Sequence, residues 1–186
     1  TQKLSMKNGS FYLEFTPEGG RWGCVCGGKA AGIGDHVCTE ILWKPWSDAT
    51  SLPTEEGYWY LTGPVEVNTH ASMLADTNVA LDLNGQTVSV KGNARVYRFL
   101  DVSGATLSIT DSVGGGKIIR VDDANAGHGG MIWMSATGNT FNLYGGTLDG
   151  NHYAAGNGAV VLSQGTFNMY GGTIQNGNSA STGSYD

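Results

Sequence analysis

Residues Thr140–Asn151 read TFNLYGGTLDGN, and Thr166–Asn178 read TFNMYGGTIQNGN. Phe141 and Phe167 are 26 positions apart, as are Leu143 and Met169, Tyr144 and Tyr170, Gly146 and Gly172, and Leu148 and Ile174. A unit of this length cannot bury its own apolar face, so copies of it stack. Within each copy Phe and Leu or Met alternate with Asn and Tyr, a period of two that belongs to a strand with one face in and one face out. The Gly-Gly pair that follows suits a tight corner, and Thr-Leu or Thr-Ile then starts a second short strand. The chain has 30 glycines and no helical stripe of useful length, which excludes a helical repeat.

The register extends backwards. Leu81-Asp-Leu83 and Leu107-Ser-Ile109 are also 26 apart, whereas Leu107 to Phe141 is 34, so one turn of the repeat is expected to carry eight extra residues, placed by the sequence within Asp122–Gly130. Tyr60–Val67 (YLTGPVEV) reads as a first, irregular turn. Four or five stacked turns follow, of roughly 20–30 residues each. The stretches Leu81–Val88 (LDLNGQTV), Leu107–Asp111 (LSITD) and the two YGGT units resemble a right-handed parallel β-helix of the pectate-lyase-like type. That resemblance covers the chain from about Leu52 onward. It implies an all-β solenoid and says little about activity, since members of that fold cleave, bind or build. The expected organisation is an N-terminal strand plus a Cys/His- and Trp-rich capping module over 1–51, and β-helix repeats over 52–186.

Composition narrows the function classes. The chain has 186 residues, enough for one domain and a small appendage, with 40% hydrophobic and only 14% charged residues. Net charge is −6 and no basic stripe exists, which argues against nucleic acid and anionic membrane as partners. No apolar run approaches the roughly 20 residues of a membrane helix. Thr1 is not a natural start, and Asn176–Asp186 (NGNSASTGSYD) ends on turn chemistry, so further repeats are expected in a longer parent chain.

All three cysteines lie in Cys24-Val-Cys26 and His36-Val-Cys38, separated by the glycine-rich GGKAAGIGD. Each pair puts two ligands two positions apart, on one side of an extended segment. Three thiolates and an imidazole are a standard tetrahedral set for structural zinc, which leaves no open position for catalysis. Two other readings stand beside it: one disulfide with a leftover thiol, and reduced cysteines with no ligand role. An unpaired extracellular thiol is a liability, and we carry the zinc reading forward. This region, together with Trp43–Trp46 (WKPW), Tyr60–Val67 and Leu81–Val88, resembles modules in large surface proteins of anaerobic Gram-positive gut bacteria. The resemblance implies cell-surface anchoring elsewhere in the parent chain and a role at the host or mucus interface, and supplies no ligand. The expected place is extracellular, at the cell surface or secreted, and the expected partner a host glycoprotein, glycan or immunoglobulin.

Other side chains carry two readings each. Trp43, Trp46, Trp59 and Tyr58 suit either a sugar-stacking platform or a cap over the open end of the core, and solenoids need caps. Tyr144 and Tyr170, with Asn142 and Asn168, are expected to point outward as ladders, stabilising by stacking or contacting a glycan or protein. Asp111, Asp122, Asp123 and Asp149, with Arg120, His128 and His152, are the acidic and basic groups that a lyase or hydrolase of this fold would need. No acidic pair recurs at matching positions of the repeat, and no residue is assigned a catalytic role. The expectation is a non-catalytic, adhesin-like surface binding module, with a carbohydrate-active lyase or hydrolase and a structural stalk as the alternatives.

Overall fold

The computed structural model describes residues 2–15, 18–27, 38–92, 94–99, 101–121, 131–151, 154–155 and 161–179. Among these the secondary structure is entirely β. In chain order the strands are β1 (Gln2–Lys7), β2 (Ser10–Phe15), β3 (Arg21–Gly23), β4 (Ile41–Trp46), β5 (Gly57–Leu61), β6 (Val65–Val67), β7 (Asn78–Asp82), β8 (Thr87–Val90), β9 (Tyr97–Phe99) and β10 (Thr106–Thr110). Then come β11 (Lys117–Arg120), β12 (Ile132–Met134), β13 (Thr140–Leu143), β14 (Thr147–Asp149), β15 (Ala154–Ala155), β16 (Val161–Ser163), β17 (Thr166–Met169), β18 (Thr173–Gln175) and β19 (Asn178–Ser179).

β1 and β2 form an antiparallel pair of their own. The rest is dominated by three sheets, with strand orders β17-β13-β10-β7-β5-β4-β3, β18-β14-β11-β8-β6 and β16-β12-β9. Every pairing in them is parallel except β3 with β4. The chain visits the sheets in one order, so β7, β8 and β9 lie against β10, β11 and β12, which lie against β13, β14 and β16. Short β-rich strands with a period of two suit this arrangement, because each strand finds its hydrogen-bond partners only in the passes before and after it.

The inward positions form one core. Val79, Leu81, Leu107, Ile109, Phe141 and Leu143 of the first sheet meet Val88, Val90, Ile118 and Leu148 of the second and Tyr97, Phe99, Ile132 and Met134 of the third, all fully buried. Phe141 stacks on Phe167 with ring centroids 5.1 Å apart. Pairing Phe141↔Phe167 and Leu148↔Ile174 follows the 26-residue spacing.

Two expectations about register change. Leu107 lies beside Val79 rather than Leu81, and Ile109 lies beside Leu81. A shift of two residues keeps every side chain on its own face, so burial did not distinguish the two registers. The eight extra residues are also not confined to 122–130. β10 and β11 start 11 residues apart against 7 for β13 and β14, which places four of the eight at the corner after β10. The other four lie between β11 and β13, where the starts are 23 apart against 19 for β14 and β17.

That corner explains the acidic residue there. Asp111 accepts from the backbone N–H of Gly85 and of Gly116, both at 2.8 Å, clamping two passes together. The turn below it, Leu83–Gln86, closes with Gln86 N donating to Leu83 O at 2.8 Å. Asn84 and Gly85 both have positive φ, 53° and 76°, the demand of a type I′ turn that Asn-Gly meets.

Candidate functional site

The antiparallel pair β3–β4 brings the cysteines together. Its register sets Arg21 opposite Trp43 and Gly23 opposite Ile41, so the segments that carry the cysteines leave the pair at the same end. Gly27 N donates to Cys24 O at 3.0 Å, so Cys24–Gly27 is a tight turn that brings two thiols to one side. The Cys26 sulfur lies 3.1 Å from that of Cys24 and 3.3 Å from that of Cys38, and all three lie within 4.8 Å of one another. No disulfide joins any of the three. Thiolates around one tetrahedral ion with bonds near 2.3 Å are about 3.8 Å apart, so this spacing fits three corners of such a site. Cys26 is buried, Cys24 half-buried and Cys38 exposed. Hydrogen bonding to Cys24 and then Cys26 pushes the Cys38 thiol up to about 12. A bound cation acts in the opposite direction, since it deprotonates a coordinating thiol. The three cysteines could therefore hold a metal ion. His36, the expected fourth ligand, lies outside the described residues.

The thiol turn lies on the outer face of the seven-stranded sheet. Gly27 has φ +64°, and a Cβ there would sit 2.7 Å from Thr110 Oγ1, so the turn meets the end of β10 too closely for any side chain. Arg21 fastens the same segment. Its guanidinium pairs with Asp82, donates to Asn84 Oδ1 at 2.8 Å and lies 4.1 Å from the centre of the Tyr60 ring. The Tyr60 hydroxyl in turn donates to Gly19 O. Arg21 carries no motif, and Asp82 and Asn84 are 61 and 63 residues away, so nothing local in the sequence announces it.

Beside the thiols runs a groove of about 350 Å³, floored by Gly114–Gly116, Gly145–Gly146 and Gly171–Gly172, with Asp111 and Tyr144 along it. Gly114 and Gly115 meet positive φ, 97° and 82°, and the other glycines are there because the passes approach closely. A Cβ on Gly171 would lie 2.5 Å from Tyr144 O, and one on Gly172 would lie 2.6 Å from Gly146 O. Tyr144 lines one side, and its ring stacks on that of Tyr170 with centroids 4.9 Å apart. Asn168 Nδ2 donates to Asn142 Oδ1 at 2.9 Å, and Asn142 Nδ2 to Ser108 Oγ at 3.3 Å, extending a second ladder beside the first. Burial, then Tyr170 and the Cys26 and Cys24 thiols, push the Tyr144 phenol above its ordinary value.

The tryptophans divide. Trp43 is only 2% exposed and lies edge-on to Tyr58, so its indole offers no face to a sugar ring. Trp46 and Trp59 pack edge-on to each other, 5.5 Å between centroids, and rest against the core beside the first passes. Trp46 Nε1 donates to Ser51 O at 2.8 Å and Trp59 Nε1 to Glu55 O at 3.3 Å. The described acidic candidates serve the turns. Asp149 accepts from Asn151 N and Asn176 Nδ2 on one oxygen and from Gln175 Nε2 on the other. Arg120 is buried and donates to Gly92 O and Ala94 O. Asp122, Asp123, His128 and His152 lie outside the described residues.

One cluster has no counterpart in the sequence reading. Trp133 is flanked by the guanidiniums of Arg95 and Arg98, 4.7 and 5.4 Å from its ring centre. His70 Nδ1 accepts from Arg95 N at 3.0 Å, and burial, then the charges of Arg95 and Arg98, push the His70 pKa down. These residues come from separate passes, so only the pairing of β9 with β12 could have joined them. No family model, no curated protein and no solved structure matches the chain.

Proposed function

We propose that the chain is a right-handed parallel β-helix of the pectate-lyase-like kind, serving as a non-catalytic binding module at a cell surface or in secreted form, and that a structural zinc ion staples its N-terminal segment. The repeated visiting order of three parallel sheets around a single apolar core supports the architecture. The binding reading is carried by one observation: a side-chain-free glycine floor runs beside two stacked tyrosines. A backbone floor next to aromatic faces and an amide ladder suits the C–H face and hydroxyls of a glycan, free or on a host glycoprotein such as an immunoglobulin. The carboxylates of Asp111 and Asp149 are engaged by turn N–H and amide groups, which supports binding over acid–base work.

The test is a glycan array and a serum pull-down with the intact chain, repeated with Tyr170→Ala. Capture weakened at least about fivefold by the substitution supports the reading, since stacking contacts of this kind contribute about 1 kcal/mol. New reducing ends or unsaturated sugar products on incubation with polysaccharide would overturn it in favour of an enzyme.

Cys24, Cys26 and Cys38 supply the three thiolates for zinc, and His36 completes the set. Soft thiolates with one imidazole favour zinc among the common divalent ions. Elemental analysis of the purified chain should find about one zinc per chain, and Cys26→Ser should lose it. Less than about 0.2 metal per chain, with three freely titrating thiols, would defeat the claim.

A further inference from the structure

The outer face of the third sheet gathers positive charge onto one ring. β9 reads Tyr97-Arg98-Phe99 and β12 reads Ile132-Trp133-Met134, each with buried ends and a half-buried middle residue. Their register sets Arg98 beside Trp133, so both side chains leave the sheet on the same outward face. Arg95, just before β9, reaches the same indole, and the two guanidiniums stand 4.7 and 5.4 Å from its centre. The Arg98 Nε is buried and, among the described residues, has no hydrogen-bond partner. Ion pairs among those residues join Arg21 with Asp82 and Lys91 with Glu66, and none engages Arg98. Like charges held this close repel: burial, then Arg98 and Arg120, push the Arg95 pKa down.

A cavity of about 360 Å³ adjoins the cluster, within the range of small-ligand sites. His70 and Ser72 line it and tie it to the arginines: Ser72 pairs with Arg98 across the strands, and His70 Nδ1 accepts from Arg95 N. With Nδ1 accepting, the His70 ring N–H is on Nε2. Trp46, Ser51, Glu55 and Thr69 add an indole, two hydroxyls and a carboxylate to the lining.

We propose that the Arg95–Arg98–Trp133 cluster and this cavity bind a sulfate ester carried on a glycan chain. A carboxylate offers two oxygens in one plane and fills a single guanidinium fork. A sulfate offers three acceptor oxygens in different directions, which matches two guanidiniums arriving from separate positions. The hydroxyls, the carboxylate and the His70 N–H of the cavity suit the hydroxyls of the sugar that carries it. The net charge of −6 opposes this only weakly, because at physiological salt charges more than about 8 Å away are largely screened. The inference shares with the proposed function only the glycan. Its residues lie on a different sheet from Tyr144 and Tyr170, so the two readings fail separately.

Isothermal titration of the intact chain tests it, with chondroitin sulfate and heparin oligosaccharides, each beside its desulfated form, at about 0.15 M salt. At least one sulfated form should bind at least about tenfold more tightly than its desulfated counterpart, as hydrogen bonds to a charged group require. Arg98→Gln should abolish that preference and leave the desulfated form unchanged. Arg98→Lys should restore only part of it, because an ammonium keeps the charge but lacks the planar fork. Lys117→Gln removes the same charge from an exposed position on β11 and should leave the preference intact. The comparison of sulfated with desulfated forms needs no variant, so a folding defect in Arg98→Gln would not shield the proposal. No binding of either sulfated form, equal binding with and without sulfate, a preference that survives Arg98→Gln, or an equal loss from Lys117→Gln would each overturn it. None of these outcomes touches the reading of the tyrosine groove.

Discussion

Phe141 and Phe167 occupy the same place in the same motif, on neighbouring strands whose registers match residue for residue. One is fully buried and the other is 36% exposed. Leu143 and Met169 differ in the same direction. Nothing in the local sequence makes this difference, since both segments read T-F-N, an aliphatic residue, then Y-G-G-T. Burial in this chain is conferred by the next pass along the stack. Phe141 is on β13, which has a strand on each side, and Phe167 is on β17, which among the described residues has a strand on one side.

The comparison can be broken most directly by truncating each ring. Phe141→Ala should cost about 3–5 kcal/mol of unfolding free energy, the range for emptying a closed aromatic site. Phe167→Ala should cost about 1–2 kcal/mol, because part of its surface is already in water and the gap opens to solvent rather than leaving a cavity. Urea unfolding of the two variants measures the difference. The double variant should show a coupling of about 0.5–1.5 kcal/mol, the range for a stacked aromatic pair. Equal losses from the two single substitutions would mean that both rings are equally enclosed in solution, as a covered β17 edge would make them.

The same pair of segments shows how far the sequence could be read. Period-two alternation and the 26-residue spacing are local and repetitive, so strands, sheet faces and the pairing of β13 with β17 were legible from them. The thiol cluster was legible as composition, because all three cysteines fall within a short glycine-rich stretch, but the extended segment expected for Cys24–Cys26 is a tight turn and His36 lies outside the described residues. The position of the cluster was not legible. It depends on Arg21 finding Asp82 and Asn84, and on Gly27 fitting against Thr110, contacts between residues that share no pattern. The register of β7 on β10 was misread by two because a two-residue shift leaves the hydrophobic faces unchanged. The corner after β10 was underestimated because Ser112–Gly116 (SVGGG) looks like a generic turn, although Asp111 ties it to the pass below. Trp133 with Arg95 and Arg98 was invisible for the same reason as Arg21: only the stacking of passes joins them.

Where the repeats diverge, a smaller effect sharpens the contrast. Asp149 in the inner copy faces Gln175 in the outer one, so the identity ladder becomes a carboxylate receiving donors from the last pass. Burial alone would push the Asp149 pKa up. Hydrogen bonds from Gln175, Asn176 and the Asn151 backbone outweigh it, and the pKa lies below the ordinary aspartate value of 3.8. A carboxylate whose folded pKa is depressed contributes stability that is present above the unfolded pKa and lost as pH falls through the folded one. The attachment of β18 should therefore hold from neutral pH down to about 4 and weaken below that. Asp48, held at about 2 by Ser51 and Thr50, titrates in a similar window, so wild-type acid lability alone does not isolate Asp149. Asp149→Asn does. It keeps the oxygen that accepts from Asn151 N and Asn176 Nδ2 but loses the acceptor for Gln175 and the charge, so the variant should begin with lower stability at pH 7 and lose less between pH 5 and pH 2 than the wild type. An acid limb of unchanged depth in Asp149→Asn would show that the hydrogen bonds from Gln175 and Asn176 do not tie the last pass to the stack.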